Sequence, residues 1–374
     1  MSSRVRELGI TIGHGRPGRR NAITDVPGVR VGQVTLIEGD GALEVGRGPV
    51  RTGVTVVIPR SDPTWEQPVF AAAHMLNGNG ELTGLAWLRD SGLLMSPIAI
   101  TATHSVGVVR DALIMAEAAA RPTGDLFWRL PVVAETWDGV LNDVSGSHIR
   151  AHHVIQALDG AVEGEVAEGN VGGGTGMICH GFKGGTGTAS RHLPTEDGGH
   201  TIGVLVQANH GRRERLTVAG ANVGRLLTGD VVPEPAVPKL PGGRSGGGSI
   251  VVVIATDAPL LPHQCAALAQ RAGLGVGRVG GVGENWSGDV FVTFSTGNRD
   301  LPNGDYGAEA PLTVSLTMAA NAHLDPLYDS VIEATEEAIL NALLAADTMT
   351  GRDGIVAHAL DADVLLAALV QARQ

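Results

Sequence analysis

Apolar residues fall along the chain in short runs that match strands, alternating with longer stretches of helical period. The spacing predicts strands at Val54–Ile58, Ile98–Thr101, Val132–Glu135, Ile202–Gln207, Ile250–Ala255, Val290–Phe294 and Thr313–Thr317. Several of these runs are continuously apolar, the pattern of strands covered on both faces. Helical periodicity predicts helices at Val106–Ala120, His148–Leu158, Pro262–Ala272, Leu327–Ala346 and Ala362–Ala372. Asp325-Pro326 reads as the start of the fourth of these, with a capping acid and then proline in the first turn. Strand runs and helix runs cluster separately. The expected architecture is therefore α/β (α+β), with strands between helical layers rather than a doubly wound sheet.

The strongest interruption is VVPEPAVPKLPGGRSGGGS, residues 231–249. Its prolines block regular pairing and its glycines make a loose tether. It stops at Ser249, one residue before the strongly β-forming run Ile250–Ile254. A small hydroxyl residue thus sits between a tether and a strand fit for burial.

Composition narrows the chemistry. Apolar residues make up 43% of 374 positions and charged residues 18%, enough for a large core. The 54 glycines are about twice the usual usage of roughly 7% and follow no Gly-X-Y period, so they imply tight turns and close backbone contacts. A net charge of −12 argues against nucleic acid as a partner. The basic cluster Arg212–Arg215 reads as a solvated turn. Cys179 and Cys265 lie outside any CxxC spacing and read as small buried residues. The first twenty residues contain no apolar secretory core, and no uncharged apolar run reaches membrane-spanning length, so a cytoplasmic protein without a membrane partner is expected.

Familiar motifs fail on context. Gly243-Arg244-Ser245-Gly246-Gly247 matches the nucleophile-elbow pattern, but a proline-rich linker precedes it and a strand follows. Gly273-Leu274-Gly275-Val276-Gly277 follows a helix instead of a strand, so it reads as packed turns and not as a dinucleotide loop. His148, His152 and His153 could share a helix face, yet the spacing supplies no further ligand. No metal and no cofactor are expected.

Gly248-Ser249 remains. Were that bond cut, Ser249 would carry its own α-amine, which titrates near pH 7.7–8.0 and can act as a general base for the hydroxyl beside it. From this stretch alone an ordinary interdomain linker is equally compatible.

Other motifs tip the balance. Asn21–Gly32, Glu135-Thr136-Trp137-Asp138-Gly139, Gly174–Met177 running into Gly181–Gly185, Gln207-Ala208-Asn209, Gly248-Ser249 and Asn285–Asp289 occur in order along most of the chain. Together they resemble the L-aminopeptidase/D-Ala-esterase family, which includes the β-peptidyl aminopeptidases. The resemblance implies one domain over residues 1–374, an αββα four-layer sandwich like that of N-terminal-nucleophile hydrolases but differently connected. It also implies self-cleavage at Gly248-Ser249 into a 1–248 α chain and a 249–374 β chain, with αβ protomers assembling into a homo-oligomer.

By the same resemblance Ser249 is the nucleophile and Asn209 the oxyanion donor, while Ser287 and Asp289 bond the nucleophile region. Glu135 would hold the substrate amine. Trp137 replaces an expected tyrosine and would line the pocket, since indole donates a hydrogen bond but accepts none. The implied activity releases L-, D- or β-amino acids from short peptides, amides and esters with a free amino terminus. Two readings stand beside it: an acyltransferase resembling the ornithine acetyltransferases, which place threonine where this chain has Ser249, and an uncleaved, non-enzymatic small-molecule-binding protein.

Overall fold

Ten strands form two sheets, and the reason lies in which face of each strand is apolar. The computed structural model describes residues 3–236, 248–306 and 311–374. Numbering only the strands of the two main sheets, the first has β1 (Arg30–Glu38), β2 (Val50–Ile58), β5 (Ile98–Ala102) and β6 (Val132–Thr136), in the order β1-β2-β5-β6. The second adds β3 (Val69–Met75), β4 (Leu93–Leu94), β7 (Gly185–His192), β8 (Thr201–Asn209), β9 (Ser249–Thr256) and β10 (Gly288–Ser295). Its order is β4-β3-β10-β9-β8-β7. The helices are α1 (Leu85–Ser91), α2 (Val106–Ala120), α3 (Ala151–Asp159), α4 (Pro262–Arg278), α5 (Asp325–Leu344) and α6 (Ala362–Ala372).

Strand alternation sorts the layers. On β9, Ile250, Val252 and Ile254 pack with Leu268 of α4, Val331 and Ala338 of α5, and Leu365 of α6. The intervening Val251 and Val253 join Ile98 and Ile100 of β5 in the space between the sheets. On the far side, Val54, Val56 and Val133 pack against Val109 and Leu113 of α2 and Val154 of α3. The order is helices, six-stranded sheet, four-stranded sheet, helices, the αββα sandwich. Period-2 burial on both sides explains why β9 reads as a continuous apolar run.

Six of the seven expected strands form. Thr313–Thr317 does not: it makes no ladder pairing among the described residues, and Leu312, Val314, Leu316 and Met318 are exposed. Asn298 engages both backbone groups of Thr317. Strands β1, β3 and β7 were not anticipated, because their polar and glycine positions break the apolar run.

The helices also differ in detail. The third starts at Ala151, so His148 precedes it and instead bonds Asp143 at 2.8 Å; the shared histidine face does not exist. Helix α4 continues through Gly273, Gly275 and Gly277, which are helical and not turns. A Cβ on Gly275 would lie 2.6 Å from the Thr335 Cβ, so glycine lets α4 and α5 approach closely, offsetting its roughly 1 kcal/mol helix penalty. Asp325 is the first residue of α5, behind Leu324, and its side chain makes no cap bond.

The Arg212–Arg215 segment is not fully solvated. Arg213 is buried with its guanidinium on the Phe182 ring, donating to the carbonyls of His180, Leu227 and Val232. Both cysteines are buried and unpaired with each other. No described helix is long and apolar enough to cross a membrane. The G-x-S-x-G segment, Gly243–Gly247, lies outside the described residues, as does much of the linker.

Candidate active site

Ser249 opens β9 at the centre of the six-stranded sheet. It is antiparallel partner to Asn209, the last residue of β8, and parallel partner to Gly288, the first of β10. The Gly288 amide donates to Ser249 Oγ at 3.2 Å. Three segments distant in sequence therefore end at one point because their strand ends coincide. Gly248 precedes this point, and its conformational requirement is steric. A Cβ there would lie 1.8 Å from the Asn209 carbonyl oxygen, so no side chain fits.

Asn209 is fixed at both ends. Its Oδ1 accepts from the Ile178 amide at 2.8 Å, and its Nδ2 donates to the Trp137 carbonyl at 3.0 Å. The second bond ties the nucleophile strand's neighbour to the end of β6, two residues beyond Glu135. Trp137 itself is 43% exposed.

Ser287 and Asp289 flank Gly288 and are both buried. Ser287 Oγ donates to Asp289 Oδ1 at 2.6 Å. Asn77 completes the arrangement: its Nδ2 donates to Asp289 Oδ2 at 3.0 Å, and its Oδ1 accepts from the Asp289 amide at 2.7 Å. Burial pushes the Asp289 carboxyl above its ordinary range, against the hydrogen bonds from Ser287 and Asn77 that favour the anion.

Glu135 lies on β6, whose strand packs across the sandwich against β9. Its Oε1 accepts from the Glu81 amide at 3.0 Å, and Oε2 accepts from the Thr103 hydroxyl. Burial raises this carboxyl as well, with the Thr103 and Glu81 hydrogen bonds opposing. Its neighbour Asp138 is fully buried, which pushes its carboxyl up to about 6 despite a 3.0 Å hydrogen bond from Asn142.

The sequence-predicted residues thus fall into two linked groups. Ser249, Asn209, Ser287 and Asp289 share one end of three adjacent strands; Glu135 and Trp137 join them through the Asn209–Trp137 hydrogen bond. Sequence reasoning missed Asn77, Thr103 and Asp138. Asn77 stands in an Asn-Gly-Asn-Gly turn whose only local signal is the turn itself. Asp138 stands beside Trp137 inside a quoted motif, but nothing local showed that it would be buried.

Comparison with known proteins identifies the family. The profile of peptidase family S58 matches residues 21–357. A β-peptidyl aminopeptidase of Sphingosinicella microcystinivorans is 49% identical over 99% of this chain and 93% of its own length. Among solved structures, a Burkholderia β-aminopeptidase superposes with a TM-score of 0.92 at 52% identity, covering 100% of this chain and 99% of that one. The L-aminopeptidase D-Ala-esterase/amidase of Ochrobactrum anthropi, described as a variant of the Ntn hydrolase fold, gives 0.87 at 42% identity over 98% of each chain. With that profile across most of the chain and relatives this similar over nearly its whole length, the chain belongs to peptidase family S58, as a homologue of its β-peptidyl and L-aminopeptidase members.

Proposed function

We propose that this protein is a self-processing serine aminopeptidase that removes amino-terminal residues, β-amino acids foremost, from short peptides, amides and esters. The observation that carries the reading is the meeting of Asn209, Ser249 and Gly288 in register at the open ends of three strands, with Ser287–Asp289 beside them.

In the maturation step, Ser249 Oγ attacks the Gly248 carbonyl carbon, the peptide C–N bond breaks, and water hydrolyses the ester. The products are a Gly248 carboxylate and a Ser249 α-amine. Residues 1–248 and 249–374 stay together as one unit, because β9 of the second fragment lies between β8 of the first and β10 of its own. Eight ladder pairs join β9 to β8.

In catalysis the α-amine takes the Ser249 hydroxyl proton as Oγ attacks the substrate carbonyl. Asn209 Nδ2, released from Trp137, stabilises the oxyanion, a role worth roughly 3–4 kcal/mol in other hydrolases. The leaving amine or alcohol receives the proton, and water releases the amino acid from the ester on Ser249. Asp289, held by Ser287 and Asn77, orients the amine and sets its affinity for a proton. Glu135 pairs with the substrate's ammonium group. A blocked amino terminus leaves that buried carboxylate, held by the Glu81 amide and the Thr103 hydroxyl, without an opposite charge, which favours exopeptidase behaviour. Support for β-amino substrates comes from the two β-aminopeptidase relatives.

Intact mass and amino-terminal sequencing of the purified, denatured protein test the reading. The expected result is two fragments, one beginning Ser-Ile-Val-Val-Val, with Ser249→Ala intact and inactive towards a β-alanyl peptide. A persistently intact wild-type chain, or an active Ser249→Ala protein, overturns it.

A further inference from the structure

His210, the residue after Asn209, meets Cys179 and His180. All three are buried. One candidate ligand atom from each lies within 4.8 Å of the other two. The cluster joins two elements: the short hairpin of Ile178–Cys179 and Phe182–Lys183, and the residue that follows β8. The His180 amide donates to the His210 carbonyl at 2.7 Å, which fixes their spacing through the backbone.

The side-chain chemistry points inward. His180 Nδ1 lies 3.0 Å from the Arg212 carbonyl, which can only accept, so Nδ1 carries the proton. Its Nε2 then presents a lone pair, and that atom is buried without a hydrogen-bond partner. A ring nitrogen that donates to a backbone carbonyl while the other is left basic is the posture of a metal-ligating histidine. His210 Nδ1 stands 3.7 Å from Cys179 Sγ. A cation about 2.3 Å from sulfur and about 2.0 Å from nitrogen, at trigonal angles, sets those two atoms roughly 3.7 Å apart.

Charge decides the class of ion. The buried Arg213 guanidinium lies against His180, its Nε donating to the His180 carbonyl at 3.0 Å. A divalent ion with one thiolate and two neutral imidazoles leaves a net positive charge in a dry site beside that guanidinium. A monovalent ion makes the centre neutral. Two imidazoles and one thiolate are a donor set that a soft d10 monovalent ion accepts without a fourth ligand. His210 lies thirty residues beyond the adjacent pair Cys179-His180, so no local spacing announced the three together.

We propose that Cys179, His180 and His210 form a three-coordinate copper(I) site that braces the chain immediately beyond Asn209. On binding, the Cys179 S–H bond breaks and its proton passes to solvent. The sulfur–copper bond forms, copper leaves its previous ligand, and no oxidation state changes. This site does not depend on the aminopeptidase reading.

The test presents copper(I) as its coloured bicinchoninate complex, without oxygen, to the full protein as purified; a parallel preparation comes from cells supplied with copper. The expected result is withdrawal of one equivalent of copper per chain and a higher thermal midpoint. Cys179→Ala and His180→Phe should each weaken retention at least 100-fold, whereas His148→Asn should leave it unchanged. Should Cys179→Ala fold poorly, Cys179→Ser supplies the same comparison. Failure of both wild-type preparations to take copper overturns the site, as does retention that survives in Cys179→Ala. Stoichiometric binding of zinc in place of copper overturns the choice of ion.

Discussion

Replacing Gly248 by alanine tests the site geometry while keeping both the Gly248 carbonyl and the Ser249 hydroxyl. The added Cβ would stand 1.8 Å from the Asn209 carbonyl oxygen, where such contacts essentially never fall below about 3.0 Å. Relief requires a displacement of at least 3.0 − 1.8 = 1.2 Å. Because Asn209 is ladder partner to Ser249, the shift separates β8 from β9 at that end. A ladder hydrogen bond of about 2.9 Å then stretches beyond the 3.5 Å at which it ceases to count, at a net cost near 1 kcal/mol. The larger effect is on chemistry. A misplacement of about 1 Å between reacting groups costs on the order of 10²-fold in rate, equivalent to about 2.7 kcal/mol of barrier. Gly248→Ala should therefore fold, with a thermal midpoint a few degrees lower, and process about 100-fold more slowly. A time course of fragment appearance by intact mass measures this. Processing within about threefold of wild type would show that the Asn209–Ser249 approach does not govern cleavage.

Under the proposed mechanism Asp289→Asn removes the anion that orients the Ser249 amine. An opposite charge raises an amine's proton affinity, so its loss should move the acid limb of the kcat/KM profile to lower pH while kcat drops 10- to 100-fold; an unmoved limb would separate Asp289 from the base. Glu135→Gln should lower kcat/KM for free-amine substrates by about 10- to 100-fold, in line with roughly 1.5–3 kcal/mol for a charge-assisted hydrogen bond, and narrow the preference over N-acetylated ones. Kinetics on paired substrates read both changes, and unaltered discrimination would remove Glu135 from amine binding. Lys183 offers a stability test away from the reaction. Its ammonium is fully buried with only the Gly174 and Gly184 carbonyls as acceptors, and burial pushes its pKa down from 10.5 to about 7. The unfolded chain then holds more protons between about pH 7 and pH 10, so wild-type stability relative to Lys183→Met should rise across that window. The change is on the order of 3 kcal/mol by denaturant unfolding, and a flat difference would mean that the amine is not desolvated.

The sequence alone determined a good deal about this protein. Largely apolar runs at Val132–Glu135, Ile202–Gln207 and Ile250–Ala255 encode strands covered on both faces, because burial on alternate sides removes the polar half of the usual alternation. Helical period likewise located five of the six helices. Ser249 stood out because a glycine tether meets a buried strand there, and the ordered motifs carried its neighbours. All of these are local signals, readable from spacing and residue type.

Tertiary structure decided what depends on which backbone edges meet. Thr313–Thr317 has strand-like alternation yet makes no ladder pairing among the described residues, because alternation specifies a face and not a partner. Arg213 sits in a run that reads as solvated, but the carbonyls of His180, Leu227 and Val232 converge on it and satisfy a buried guanidinium. Asn77 grips Asp289 only because β3 and β10 are antiparallel neighbours, although 212 residues separate the two in the chain. Asn209 and Ser249 become partners through a register set across forty residues. Hydrophobic periodicity fixes how each segment presents its faces. The pairing of distant segments depends on sheet order, register and the packing of the layers, which no short stretch of sequence contains.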